Sequence, residues 1–199
     1  MKSHSTIGRM INLKFTTKEI ILVSLFTALI TIGSKITIPS PIVPFTLQTM
    51  FVALSGMLLG ARLGSISMLV YVILGLIGLP VFTKGGGIGY ILSPTFGYLI
   101  GFIAAAYIIG KAVEKMKDNI NYIRVLSAMC LGLIVLYAIG VSYMYLIVNV
   151  YLGKSITLTK AIWTGALIFI PTDMLSAALS TLLGVRIVRQ VKAIVERGA

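Results

Sequence analysis

Asp173 is the only charged residue between Lys160 and Arg186, in the apolar stretch Phe169-Ile170-Pro171-Thr172-Asp173-Met174-Leu175-Ser176. A carboxylate at bilayer depth costs roughly 2.5–3.5 kcal/mol on insertion scales, so it is retained where it faces a polar cavity, a partner or a ligand. Pro171-Thr172-Asp173 also reads as a helix start, with Pro in the first turn and an acid near the positive end of the helix dipole. The two roles are compatible. Gln48, early in another apolar run, adds an amide that both donates and accepts. Lys84 precedes Gly85-Gly86-Gly87-Ile88-Gly89, four glycines in five residues. Its ammonium and the glycine amides could line a ligand site, or the run could be a flexible exterior loop. It is not a phosphate loop, because the chain has no GxxxxGK[ST].

Catalytic and metal chemistry find little support. The single Cys, Cys130, lies in an apolar run and the single His, His4, in a polar tail. An intramembrane enzyme would need a paired set of groups, and Asp173 has no second acid or histidine in the apolar runs. We therefore expect no enzyme, no metal and no cofactor.

These residues are carried by a chain of 199 residues that is 58% hydrophobic and only 11% charged, with a mean hydropathy of +1.03. Such values identify an integral membrane protein, and its long apolar runs lead us to expect an all-α one. The net charge of +12 does not point to nucleic acid, since the basic residues are scattered between apolar runs with no aromatic-interleaved stripe.

Six membrane helices are expected, at about 20–38, 45–60, 63–79, 95–109, 125–150 and 171–195. Residues 1–17 form a polar tail. The first apolar run is too long for a signal-peptide core and lacks a small-residue cleavage site, so it reads as a retained helix. On it Ser24 with Ala28, and Thr27 with Thr31, are small-xxx-small pairs that allow close helix approach. Prolines 39, 41 and 44 impose a stiff extended loop. A tight turn is expected at Ala61-Arg62, and residues 154–170 should form a lid or short helix. Tyr137, Tyr143 and Tyr145 read as an interfacial belt. Basic residues concentrate in cytoplasmic loops, and 13 of the 17 fall on the side holding both termini, leaving Lys35, Lys84, Lys154 and Lys160 opposite. Both termini are thus expected in the cytoplasm, with one domain spanning residues 1–199.

Four motifs carry a resemblance: Ile38-Pro39-x-Pro41-x-Val43-Pro44-Phe45-Thr46-Leu47-Gln48-Thr49; Gly75-Leu76-x-Gly78-Leu79-Pro80-Val81-Phe82 with the glycine run; Ser93-Pro94-Thr95-x-Gly97-Tyr98-x-x-Gly101-Phe102; and Ile170-Pro171-x-Asp173. In this order the chain resembles the BioY family, the biotin-specific substrate-capture (S) components of energy-coupling factor transporters. The resemblance implies a multi-pass protein of the cell membrane that binds biotin from outside. It also implies a membrane coupling subunit, docking on the small-residue face of helix 1 (Ser24, Thr27, Ala28, Thr31), and two cytoplasmic ATPase subunits that hydrolyse ATP. The family pattern has alanines where Thr27 and Thr31 stand, and a lysine where this chain has Ser176, one turn after Asp173.

Biotin offers two ureido N–H donors and one carbonyl, an apolar sulfur ring and a carboxylate tail. Asp173 would accept from the ureido nitrogens, Gln48 would donate or accept, and Tyr90, Tyr98 and Phe82 would pack the ring. Gly86 stands for the glycine-run amides that would line the site. A cation is expected at the tail, Lys84 first and Lys35 second. The competing expectation is a stand-alone proton-coupled carrier that uses Asp173 as its proton site.

Overall fold

A computed structural model describes residues 15–38, 42–116 and 120–197, with side chains through residue 190. The polar tail to residue 14, Pro39 and Pro41 of the proline loop, and Lys117 of the basic loop lie outside the described residues.

Helix α1 (Thr17–Lys35) starts three residues earlier than its apolar run suggests, because Thr16 and Glu19 form a reciprocal capping box that satisfies two otherwise unpaired amides. It is followed by a two-residue strand β1 (Thr37–Ile38), paired antiparallel with β2 (Phe45–Thr46). This corrects the expected helix start at residue 45. Pro44 favours extended backbone next to it, and helix α2 (Gln48–Leu76) begins only after the Thr46 hydroxyl has accepted the Gln48 amide.

Helix α2 is broken at Gly60, where φ is 81° and ψ is 179°, a conformation open in practice to glycine. The turn therefore falls one residue before Ala61-Arg62. The two arms fold back on each other: a Cβ on Gly64 would lie 2.7 Å from the Gly56 Cα, and Ser55 Oγ donates to the Gly64 carbonyl at 3.5 Å. Residues eight apart would be about 12 Å apart along an unbroken helix. The second arm starts at Ala61, whose amide donates to Glu114 Oε1 at 2.8 Å.

A glycine-rich connection containing a short 3₁₀ turn (Ile88–Leu92) leads to α3 (Phe96–Met116), which continues past residue 109 through Lys111, Glu114 and Lys115. Helix α4 (Tyr122–Leu146) is capped by Asn121, whose side chain accepts from the Ile123 amide, and it relaxes into a π-helical turn (Ile147–Tyr151). The segment expected to be a lid or short helix contains α5 (Leu158–Gly165), capped by Thr157. A 3₁₀ turn (Leu167–Phe169) joins it to α6 (Ile170–Arg197), which holds Asp173 in its first turn.

Among the described residues five helical stretches are long and apolar enough to cross a membrane: Thr17–Lys35, Gln48–Leu76, Phe96–Met116, Tyr122–Tyr151 and Leu158–Gln190. The core is built from glycine notches. A Cβ on Gly56 would lie 2.5 Å from the Ala106 carbonyl oxygen, and one on Gly110 would lie 2.3 Å from the Ala61 nitrogen. Helices α3 and α4 interlock similarly, Gly97 under Tyr143 and Gly140 under Tyr98. Small residues let backbones approach closely where no hydrophobic force draws helices together in lipid.

Candidate functional site

At the end of the bundle opposite the Gly60 turn, the first arm of α2, α3, α4 and α6 part around a cavity. Its walls carry Gln48 and Thr49 from α2, Tyr98 and Phe102 from α3, Tyr137 from α4, and Asp173 from α6. Residues 43–46, Thr83 and Tyr90 form its roof. Leu99, Phe102 and Leu136 supply apolar surface. The Phe45 and Phe169 rings, with centroids 4.3 Å apart, close one side.

Asp173 is 7% exposed, and the Tyr137 hydroxyl donates to its Oδ2. A buried carboxylate is tolerated when hydrogen-bonded, and this pairing leaves Asp173 with further acceptor capacity toward the cavity. Tyr98 donates to the Gly165 carbonyl at 2.7 Å, tying α3 to the end of α5. Gln48 is buried, its side-chain nitrogen 4.0 Å from Met68 Sδ.

The roof is riveted from below. Lys35 Nζ donates to the Phe82 carbonyl at 2.6 Å, Ser34 Oγ to the Val81 carbonyl at 2.8 Å, and the Tyr71 hydroxyl to the same carbonyl at 3.2 Å. Phe82 is fully buried beneath it, between Tyr71 and Tyr90. It fills a notch that glycine creates, since a Cβ on Gly75 would lie 2.0 Å from its ring. Gly86 sits against the Leu79 carbonyl, and the Gly87 amide donates to the Gly75 carbonyl at 2.7 Å. The Tyr90 hydroxyl accepts from Thr95 Oγ1 at 3.0 Å. Burial raises its pKa above the usual phenol range, so it stays protonated with a hydrogen to give.

Of the residues singled out from sequence, Asp173, Gln48, Tyr90 and Tyr98 line the one cavity. Phe82 and Gly86 support its roof. Lys35 is bound to the Phe82 carbonyl. Lys84 borders a separate outer depression with Ser93 and Tyr151, which shares only Tyr90 with the cavity. Ser176 borders a third space, a groove between α6 and the β1–β2 ribbon. On α1, Ser24 and Ala28 are exposed, whereas Thr27 is buried and donates to the Ser67 carbonyl at 3.0 Å. Thr31 is half-buried, its hydroxyl on the Thr27 carbonyl.

Tyr137 and Thr49 were not foreseen. Tyr137 is 36 positions from Asp173, so no local spacing links them. The available signal was that a buried acid needs a donor, and that a tyrosine midway along an apolar run carries one. Tyr143 is likewise no simple belt residue, since its hydroxyl donates to the Ile91 carbonyl and holds the 3₁₀ turn.

A polytopic helical bundle with a roofed cavity lined by both apolar and polar side chains is a membrane-embedded binding protein for a small solute. Residues 5–193 match the BioY family. The chain is 44% identical to a probable biotin transporter BioY of Lysinibacillus sphaericus, covering 86% of this chain and 87% of the relative. It is 38% identical to a biotin transporter BioY of Thermotoga maritima, covering 85% and 95%. Among solved structures it superposes on the S-component for biotin from an ECF-type ABC transporter, with a TM-score of 0.78 at 29% identity, covering 88% of this chain and 95% of that one. The chain belongs to the BioY family and is a multi-pass protein of the cell membrane.

Proposed function

We propose that this chain captures biotin and takes part in its uptake as the substrate-binding subunit of an ATP-driven energy-coupling factor transporter. The observation that carries the reading is the Asp173–Tyr137 pair facing a roofed cavity that also carries apolar side chains, in a chain whose relatives are named biotin transporters. Ureido N–H groups suit Asp173 and Gln48, and the sulfur ring suits Tyr98, Phe102 and Leu136. The sequence has no nucleotide motif, so ATP would be hydrolysed by two partner subunits reached through a membrane coupling subunit. The exposed Ser24–Ala28 face of α1 is available to that subunit, whereas the Thr27 hydroxyl is engaged inside the chain. A stand-alone proton-coupled carrier is less well supported, since the superposing structure is a component of an ABC transporter.

The purified chain in detergent should bind labelled biotin without ATP. A folded preparation that binds none would remove the assignment.

For topology we propose six crossings with both termini cytoplasmic. The fold-back of α2 at Gly60 supports counting its arms separately, and the 13 to 4 division of basic residues supports the orientation. Cysteines placed at positions 84 and 157 should react with impermeant reagent on intact cells, and those at 118 and 192 should be protected. The reverse pattern would invert the protein.

A further inference from the structure

The hydroxyls around the cavity differ in whether their protons are already engaged. Tyr98 donates to the Gly165 carbonyl and Tyr137 to Asp173. Thr83 donates to the Ser34 carbonyl at 3.3 Å, Thr95 to the Tyr90 oxygen at 3.0 Å, and Thr172 to the Phe169 carbonyl at 2.9 Å. Each keeps lone pairs and has no proton left for a ligand. The cavity is therefore rich in acceptors, with the Asp173 carboxylate the strongest. The donors left are Tyr90, Thr46 and the Gln48 amide, all uncharged. Among the described residues no lysine or arginine lines the cavity. Lys35 is committed to the roof, and Lys84 lies in the outer depression beyond Tyr90.

An anionic group brought fully inside would share a desolvated space with Asp173 and meet no cation, a costly arrangement. A group bearing N–H donors meets surplus acceptors and gains charge-assisted bonds. We propose that the site selects its ligand by N–H donors on the ring end and is indifferent to charge on the tail. The tail's terminal oxygen is met near the roof by the Tyr90 hydroxyl, which makes Tyr90 a specificity residue for a carbonyl of either charge. This rests on the biotin reading and adds what that reading leaves open, the recognition of the carboxylate.

The test measures equilibrium binding of biotin, biotin amide and a ureido-N-methylated biotin to the purified chain, at low and high salt. The amide should bind within about threefold of biotin at both salt concentrations, whereas N-methylation should weaken binding about 100-fold or more. Lys84→Met and Lys35→Met should move biotin and the amide equally. An amide about 30-fold weaker than biotin, with Lys84→Met abolishing the difference, would overturn the proposal in favour of ionic capture while leaving biotin as the ligand. Binding of none of the three by a folded protein would overturn the biotin reading and this proposal with it.

Discussion

The same two helices meet in opposite ways at their two ends. Around the Gly60 turn, α2 and α3 are in backbone contact, Gly56 on Ala106 and Ala61 on Gly110, leaving no room for a methyl group. Toward the loops, Gln48 and Thr49 of one face Tyr98 and Phe102 of the other across the cavity. Side-chain size at successive turns accounts for the difference. Glycine and alanine draw the helices together at one end, and aromatic and amide side chains prop them apart at the other. The closed end supplies rigidity, so the open end can hold polar groups that add little packing of their own. Damage at the closed end should therefore appear as lost folding, and damage at the open end as lost binding in a folded protein.

The largest effect should come from Gly110→Val. Its Cβ would lie 2.3 Å from the Ala61 nitrogen and 2.5 Å from the Gly60 carbonyl carbon, both backbone atoms that cannot swing aside. We expect a loss of about 3 kcal/mol or more, seen as absent monodisperse protein or a collapsed thermal transition in detergent. A normal melting curve would show that the α2–α3 contact yields and that rigidity does not come from the closed end.

At the open end Asp173→Asn should leave the melting temperature near that of the parent, since it removes a buried charge and keeps an acceptor for Tyr137. Binding of biotin should weaken by roughly one to two decades, the worth of one charge-assisted hydrogen bond at about 1.5–3 kcal/mol. An unchanged dissociation constant would return Asp173 to the role of a helix-capping acid.

The contrast between the ends was partly readable in advance. Asp173 announced itself as the sole charge in an apolar run, and the start of its helix near Pro171 followed from local rules. The arms of α2 followed from hydropathy and the Gly56-Gly60-Gly64 spacing, though their turn lies at Gly60 and not at 61–62. Pairings across the bundle were not readable. Tyr137 meets Asp173 and Lys35 meets the Phe82 carbonyl only after α4, α6, α1 and the roof are assembled, because the reach of a side chain is a tertiary property. For the same reason no local rule told that Lys84 would lie outside the cavity. The glycine run was ambiguous because composition marks where glycines are and not which of them the backbone requires.

Smaller effects should mark positions where backbone geometry alone decides. Gly60 has a φ of 81° and Gly87 a φ of 106°. Alanine at either should cost about 1–3 kcal/mol, with Gly60→Ala lowering stability and Gly87→Ala also loosening the roof. Glu114→Ala removes the acceptor for the Ala61 amide, the equivalent of losing an N-cap, and should cost about 1 kcal/mol. Thermal unfolding of the three variants, with biotin affinity measured beside it, would separate them. Equal affinities in Gly60→Ala and Gly87→Ala would remove the distinction between turn and roof.

The smallest expected change is Gly89→Ala, and it is also the sharpest test of how the roof works. Gly89 shares the run with Gly87, but it has no positive φ, and a Cβ there would meet nothing within 4 Å. If the glycines serve as a hinge whose looseness admits ligand, alanine at Gly89 should slow association and weaken biotin. On the geometry above, the roof is held in place by Phe82 in the Gly75 notch and by Lys35, Ser34 and Tyr71 on its carbonyls, and Gly89 adds only unfolded-state entropy. Alanine should then leave affinity and association rate unchanged and shift stability by no more than about 0.5–1 kcal/mol, in the stabilising direction. Stopped-flow association of biotin with the parent and the Gly89→Ala chain decides between them. A clear slowing at unchanged stability would show that entry depends on mobility at this position, and that the riveted roof is one state of a moving loop.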